Sequence, residues 1–287
     1  MPFHVITGAF YVVGTSPTGD SIHFRADAEC KWNMLGANAP LILKGRTRTA
    51  QLRFEAIDAP ETHFQPHDSV VRYYEPLHIA NASRARMLQE VGVGDVVVNS
   101  QGIVMVADNE GARGYILARH VDKHNRPVAF VYAGDPPVVN GSRFHLDVAH
   151  LKQSVNYRLI EAGLVYPTYY PGLFPDLRSA LTEAVVEARR EGRGIWAHDK
   201  TNKGVDVYDL TAVMDRNVIL PKLFRRIVDY MDGGGGIEGF DDYLAAKHEQ
   251  VLMLPEGHFT HFDNVVNIEG ITVSLSRPPE DLVFMPG

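Results

Sequence analysis

The chain has 287 residues, 45 % of them hydrophobic, which suffices for one large domain or two modest ones around a real core. No apolar run approaches the roughly 18 residues a membrane span needs, and no basic stretch precedes the apolar residues of MPFHVITGAF, so membrane and secreted classes are set aside and a cytoplasmic protein is expected. Cys30 is the single cysteine and excludes an internal disulfide.

A net charge of −7 argues against a phosphate-binding surface. Its distribution reverses that inference: residues 1–200 hold 21 Lys+Arg against 21 Asp+Glu, whereas residues 201–287 hold 7 against 14. The deficit lies wholly in the C-terminal segment.

In chain order, VITGAFYVVG and SIHFRAD have the β-branched and aromatic content of two strands joined by the turn TSPTGD, and TAQLRFEAID of a third. A polar insertion, THFQPHDSVVRYYEP, precedes IANASRARMLQEVGV, where Ile79, Met87, Leu88 and Val91 recur near helical spacing. DVVVNSQGIVMV, GYILARHV and PVAFVY are further strands. VNYRLIEAG and LRSALTEAVVEARREGRG are helices that stop at glycine. Short strands with interposed helices predict a small barrel plus helices.

Beyond DKTNKG, Leu220, Leu223, Phe224, Ile227, Val228 and Met231 form the stripe of an amphipathic helix over 220–231, with Pro221 in its first turn. Four glycines at 233–236 end it. DDYLAAKHEQ is a second short helix, and VVNI-EG-ITVSL a hairpin. The division expected is therefore 1–200 and an acidic C-terminal extension, 201–287. The stripe must be buried by docking within the chain or against a second copy. A docked segment of charge −7 is expected to restrain phosphate binding, by repelling phosphate backbones or by competing with them for Arg- and Lys-lined surface.

The chemistry gathers at RFEAIDAPE. Asp20 ends the first turn and Asp58 the third strand; a barrel that brings these two carboxylates together makes an oxygen-rich site for a hard cation such as Ca²⁺. Glu61 follows the rigid Ala59-Pro60 step and is placed to orient or deprotonate a water. Arg53 lies five residues before Asp58, on the opposite face by strict alternation, so a bulge or twist is needed to turn it toward the site. Arg126 follows the turn Lys123-His124-Asn125 and supplies a second guanidinium for a phosphate clamp.

The pieces TGDS, LRFEAIDAPE, RARMLQEVGVGD, DKHNRPVAFVY, SVNYRLIEAGLV and EARREGRGIW stand in the order and spacing of the staphylococcal nuclease (thermonuclease) family, which the chain resembles over about residues 8–198. The resemblance implies an α+β fold, a five-stranded OB-fold β-barrel with packed helices, and Ca²⁺-dependent hydrolysis of DNA or RNA phosphodiesters to leave 3′-phosphates. It further implies that Asp20 and Asp58 ligate calcium with the Ala59 carbonyl, that Arg53 and Arg126 clamp the phosphate, and that Glu61 is the general base. Lys123, Tyr166, Tyr169 and Tyr170 fall in segments that meet the nucleotide, the tyrosines by stacking.

Departures accompany the likeness. Thr18-Gly19-Asp20-Ser21 lacks an acid that the family often carries near the metal. In Asp122-Lys123-His124-Asn125-Arg126, an asparagine stands where the family often has glycine; Asn tolerates the left-handed backbone, so the turn is expected to persist. The insertions near 28–46, 62–77 and 135–151 have no assigned counterpart. The alternative function, a catalytically silent OB-fold module that binds nucleic acid or protein, is favoured by the acidic balance; retention of all five site side chains favours the nuclease.

Overall fold

The computed structural model describes residues 2–36 and 41–286; part of the first insertion, 37–40, lies outside the described residues. The elements that position the site are, in chain order, strands β1 (Phe3–Tyr11), β2 (Ser21–Ala26), β3 (Ala50–Phe54) and β4 (Ile57–Asp58), helix α1 (Leu77–Glu90), strands β5 (Ala112–Val121) and β6 (Pro127–Ala133), helix α2 (Val155–Glu161), strand β7 (Tyr166–Pro167), and helices α3 (Pro175–Arg190) and α4 (Pro221–Met231). Contacts gather the chain into two compact units, Met1–Glu55 with Ser83–Leu159, and Ala56–Ala82 with Ile160–Gly287. This grouping differs from a division at residue 200: 56–82 and 160–200 fall in one unit with the C-terminal segment.

The first unit is a closed barrel. β1 pairs antiparallel with β2 and β5, β2 with β3, and β5 with β6. β3 and β6, which run parallel, close the ring. The result is the five-stranded mixed OB barrel that the resemblance implies. Alternation in β3 buries Ala50, Leu52 and Phe54 and leaves Gln51 and Arg53 half-buried on the other face. Two glycines make closure possible: Gly8 and Gly114 pair across β1 and β5, where an added Cβ would stand 2.1 Å from the Arg25 carbonyl at Gly8 and 2.3 Å from the Phe10 ring at Gly114. At the parallel seam, buried Asn156 of α2 donates to the Glu55 and Ala129 carbonyls at 2.9 and 3.1 Å and accepts from the Val131 N–H at 2.9 Å. A side-chain amide thus adds hydrogen bonds to backbone groups at the seam.

The second unit holds the β4–β7 ribbon, α3 and α4, and two three-stranded sheets. The hairpin expected near 266–275 is present as Val266–Glu269 and Thr272–Leu275, turning through Gly270 at φ 64°. α4 buries Leu223, Phe224, Ile227, Val228 and Met231. Its apolar stripe is therefore covered by this chain's own residues and calls for no second copy. Among the described residues, no helix is long and apolar enough to cross a membrane.

Candidate functional site

The site residues expected from sequence divide between the two units. Asp20, Arg53, Lys123 and Arg126 belong to the barrel, and Asp58, Ala59, Glu61, Tyr166, Tyr169 and Tyr170 to the second unit.

In the barrel, Asp20 precedes β2. Its carbonyl accepts the Phe54 N–H at 2.9 Å and its carboxylate the Thr18 hydroxyl at 2.7 Å. Arg53 lies opposite Ser21 on β3. The turn between β5 and β6 forms as expected: Asn125 takes φ 61°, and the Asp122 carboxylate accepts the N–H groups of His124 and Arg126, each at 2.9 Å. The same carboxylate holds the Arg126 guanidinium, with Nη2 at 2.8 Å. Burial raises the Asp122 carboxyl, but the Arg126 charge and these hydrogen bonds outweigh it and hold the carboxyl below its usual range. The His124 imidazole is lowered by burial and by the charges of Arg126, Lys123 and Arg53, against the pull of Asp122. Three cations therefore act on one spot of the barrel surface.

In the second unit, strict alternation ends before Asp58. Glu55 and Ala56 form a turn, with Ala56 at φ 68°, and the backbone resumes as β4. The break in alternation is carried by an alanine in the left-handed region rather than by a bulge. β4 pairs with β7, so Asp58 lies opposite Tyr166. Asp58 is 4 % exposed, and Ala59 is buried beside it.

Both Asp58 oxygens are taken by Arg225 of α4, at 3.1 Å from Nη1 to Oδ1 and 2.7 Å from Nη2 to Oδ2. Arg225 Nη1 also donates to Glu61 Oε1 at 2.6 Å. One planar guanidinium bridges the two carboxylates. The charges of Asp58 and Glu61 hold it firmly protonated, although burial opposes this.

A third acid, Glu75, is fully buried next to them. Its Oε2 accepts the Glu61 N–H at 2.9 Å, the Glu75 N–H returns to the Glu61 carbonyl at 2.9 Å, and Oε1 has no hydrogen-bond partner. Burial, reinforced by the charges of Glu61 and Asp58, pushes this carboxyl well above the usual range against the hydrogen bond from Glu61.

The insertion at 62–77 connects these acids to α4. Phe64 and Tyr73 exchange backbone hydrogen bonds of 2.6 and 2.7 Å, which closes the loop. The Phe64 ring meets Phe224 edge-on at 6.5 Å. Asp232, just past α4, accepts from the Ser69 hydroxyl at 2.9 Å and from the Tyr73 hydroxyl. On the same helix, Lys222 and Arg226 reach Glu249 at 3.0 and 2.6 Å.

Tyr166 and Tyr169 are not placed to stack on bases. Tyr166 and Tyr169 are wholly buried; the Tyr166 hydroxyl donates to Asp199 at 2.7 Å, and that of Tyr169 lies 2.9 Å from Thr182 Oγ1. Both pack the second unit. Tyr170, half-buried, has its ring 6.4 Å from Phe284.

The donor set can be tested against the expected calcium ion. Calcium needs several free oxygen lone pairs, and three of the four carboxylate oxygens of Asp58 and Glu61 accept from Arg225. Among the described residues, no group of three or more His, Cys, Asp or Glu side chains is arranged to hold a metal ion. Of the expected ligands, Asp58 thus has both carboxylate oxygens committed to Arg225 and does not fit calcium in this arrangement. Sequence reasoning missed Arg225, Glu75 and Glu249. For Arg225 the one signal was the clustering of Lys222, Arg225 and Arg226 on a single helix of an otherwise acidic segment.

Compared with known families, residues 51–198 match the model described as staphylococcal nuclease homologue. The match includes Arg53, Asp58, Ala59, Glu61, Lys123 and Arg126 and excludes Asp20 and Arg225. No curated protein matches the chain.

Proposed function

Because the chain belongs to the family of staphylococcal nuclease homologues, we propose that it acts as a nucleic-acid-binding OB-fold module of that family whose calcium-dependent cleavage is shut off. The observation that carries this reading is Arg225. A calcium ion would have to displace a guanidinium from Asp58, or approach it as a like charge in a poorly hydrated site. Glu61 already spends on Arg225 an oxygen that a general base needs for a water proton. The phosphate-directed residues are engaged differently: Arg53, Lys123 and Arg126 bring three positive charges to bear near His124, offset by Asp122. Such a group attracts a phosphate backbone without reading sequence.

A second reading, a nuclease leaving 3′-phosphates, is favoured by the presence of Asp20, Arg53, Asp58, Glu61 and Arg126 in family order. It requires Arg225 to leave its partners.

The two readings part in one assay set. The full chain is incubated with plasmid DNA and with RNA in Ca²⁺ or in chelator, and binding of a labelled oligonucleotide is followed by fluorescence anisotropy at low and moderate salt. The module reading predicts no cleavage in either condition, and binding that weakens with salt and in Arg126→Gln. Calcium-dependent cleavage that disappears in Asp58→Asn would overturn it.

A further inference from the structure

We infer that Arg225 is the resident cation of the carboxylate cluster formed by Asp58, Glu61 and Glu75. The segment C-terminal to the family match thus supplies, covalently, the positive charge that a divalent ion would otherwise bring, and the second unit holds these acids together without metal.

The geometry is that of a counter-ion rather than of a passing contact. Asp58 receives two N–H groups and Glu61 a third, all from one guanidinium. Two carboxylates this close repel each other unless a cation lies between them. Arginine suits the task because its planar fork spans two acceptors, stays charged at any accessible pH and is weakly hydrated; a lysine ammonium cannot bridge in the same way. The third acid, Glu75, lies beside the pair through its hydrogen bond from the Glu61 N–H and keeps one carboxyl oxygen without a hydrogen-bond partner.

Delivery of the guanidinium is fixed from three directions. The apolar face of α4 is buried through Leu223, Phe224, Ile227 and Val228. Before and after Arg225, Lys222 and Arg226 are tied to Glu249. At the helix end, Asp232 holds Ser69 and Tyr73 on the loop that leaves Glu61 and returns at Glu75. The helix that carries the cation and the loop that carries two of the acids are thus bound to each other, independently of the ion pair itself.

Thermal unfolding tests the inference on the full chain, with millimolar Ca²⁺ or chelator at matched ionic strength. Stability and cation response are read without nucleic acid, so this experiment and the binding assay above can fail separately. The wild-type Tm is expected to be the same in Ca²⁺ and in chelator. Arg225→Met, which keeps bulk and loses charge, is expected to lower Tm by about 6–20 °C, as removing one partner of a buried pair does. Adding Asp58→Asn and Glu61→Gln to Arg225→Met should recover part of that loss, because the uncompensated anions are gone. A wild-type Tm raised by Ca²⁺ in a manner lost in Asp58→Asn would overturn the inference, and so would an Arg225→Met protein as stable as wild type or a triple variant that recovers nothing. If Arg225→Met does not fold, the wild-type comparison and Arg225→Lys decide: calcium indifference with a lowered Tm in Arg225→Lys supports the resident cation, and a calcium-stabilised wild type or an unaltered Arg225→Lys refutes it.

Discussion

Replacing Glu249 by glutamine removes the anion that Lys222 and Arg226 share on the flanks of Arg225. Burial raises this carboxyl, but the hydrogen bond from Arg226 and the charges of Lys222 and Arg226 win, and its pKa falls from 4.5 to about 2. That difference, about 2.5 in pKa, is worth about 3 kcal/mol at about 1.4 kcal/mol each; the side chain is 24 % exposed, so solvent discounts it little. The sign follows from proton counting. A carboxyl depressed in the folded state contributes stability that is fully present above pH 4.5 and is lost as pH falls through about 2. Glutamine keeps one acceptor for Arg226, so Glu249→Gln is expected to cost about 2–3 kcal/mol at pH 7 and to match wild type near pH 2. Urea denaturation in a Trp32→Phe background, where Trp196 reports on the second unit, measures the difference at each pH. Glu75 titrates in both proteins and cancels. A cost below about 0.5 kcal/mol at pH 7, or one that does not shrink between pH 5 and pH 3, would refute the reasoning.

Glu75→Gln is expected to stabilise the protein at neutral pH, because the raised folded-state carboxyl favours a proton that the unfolded chain releases above pH 4.5; the gain should fade as pH falls to that value, and equal stability at pH 7 would contradict the upward shift of the buried carboxyl. Phe224→Ala, which empties a fully buried ring site against Phe64, should cost about 3–5 kcal/mol in the same urea experiment; a cost under about 1 kcal/mol would mean that α4 is not anchored by its apolar face. Lys222, lowered from 10.5 to about 8 chiefly by burial, carries a penalty while charged, so stability should rise between pH 8 and pH 10.5, and a Lys222→Met protein should lack that rise.

Features that depend on neighbours in sequence were legible. β-Branched runs located the barrel strands, the 220–231 stripe located α4, and the substitution of Asn for Gly at 125 was readable because Asn accepts the left-handed backbone found there. The turn at Glu55–Ala56 carries no such mark: alanine rarely takes φ 68°, and only the awkward spacing from Arg53 to Asp58 hinted that alternation had to break. The helix expected over DDYLAAKHEQ ends early, at Ala246, since His248 adopts φ 50° and Gln250 already begins a strand.

Long-range electrostatics was the least legible layer. Arg225 is separated by more than 160 residues from the acids it bridges, and no periodicity connects them. The net charge of 201–287 suggested that this segment acts through its acids, by repelling phosphate. The contact observed is a cation of the acidic segment engaging acids that lie within the family match. Likewise the tyrosines after α2 read as nucleotide contacts by resemblance, whereas Tyr166 and Tyr169 fill the second unit's interior, as aromatic residues with a partner for the hydroxyl commonly do.

The central claim is that Asp58 and Glu61 already have their bridging counter-ion, Arg225, within the chain. Isothermal titration of Ca²⁺ into the full-length protein in the absence of nucleic acid tests it most directly. The account predicts no saturable heat attributable to these residues, with wild type and Asp58→Asn giving superimposable traces. A stoichiometric calcium-binding isotherm in the wild type that vanishes in Asp58→Asn would contradict it.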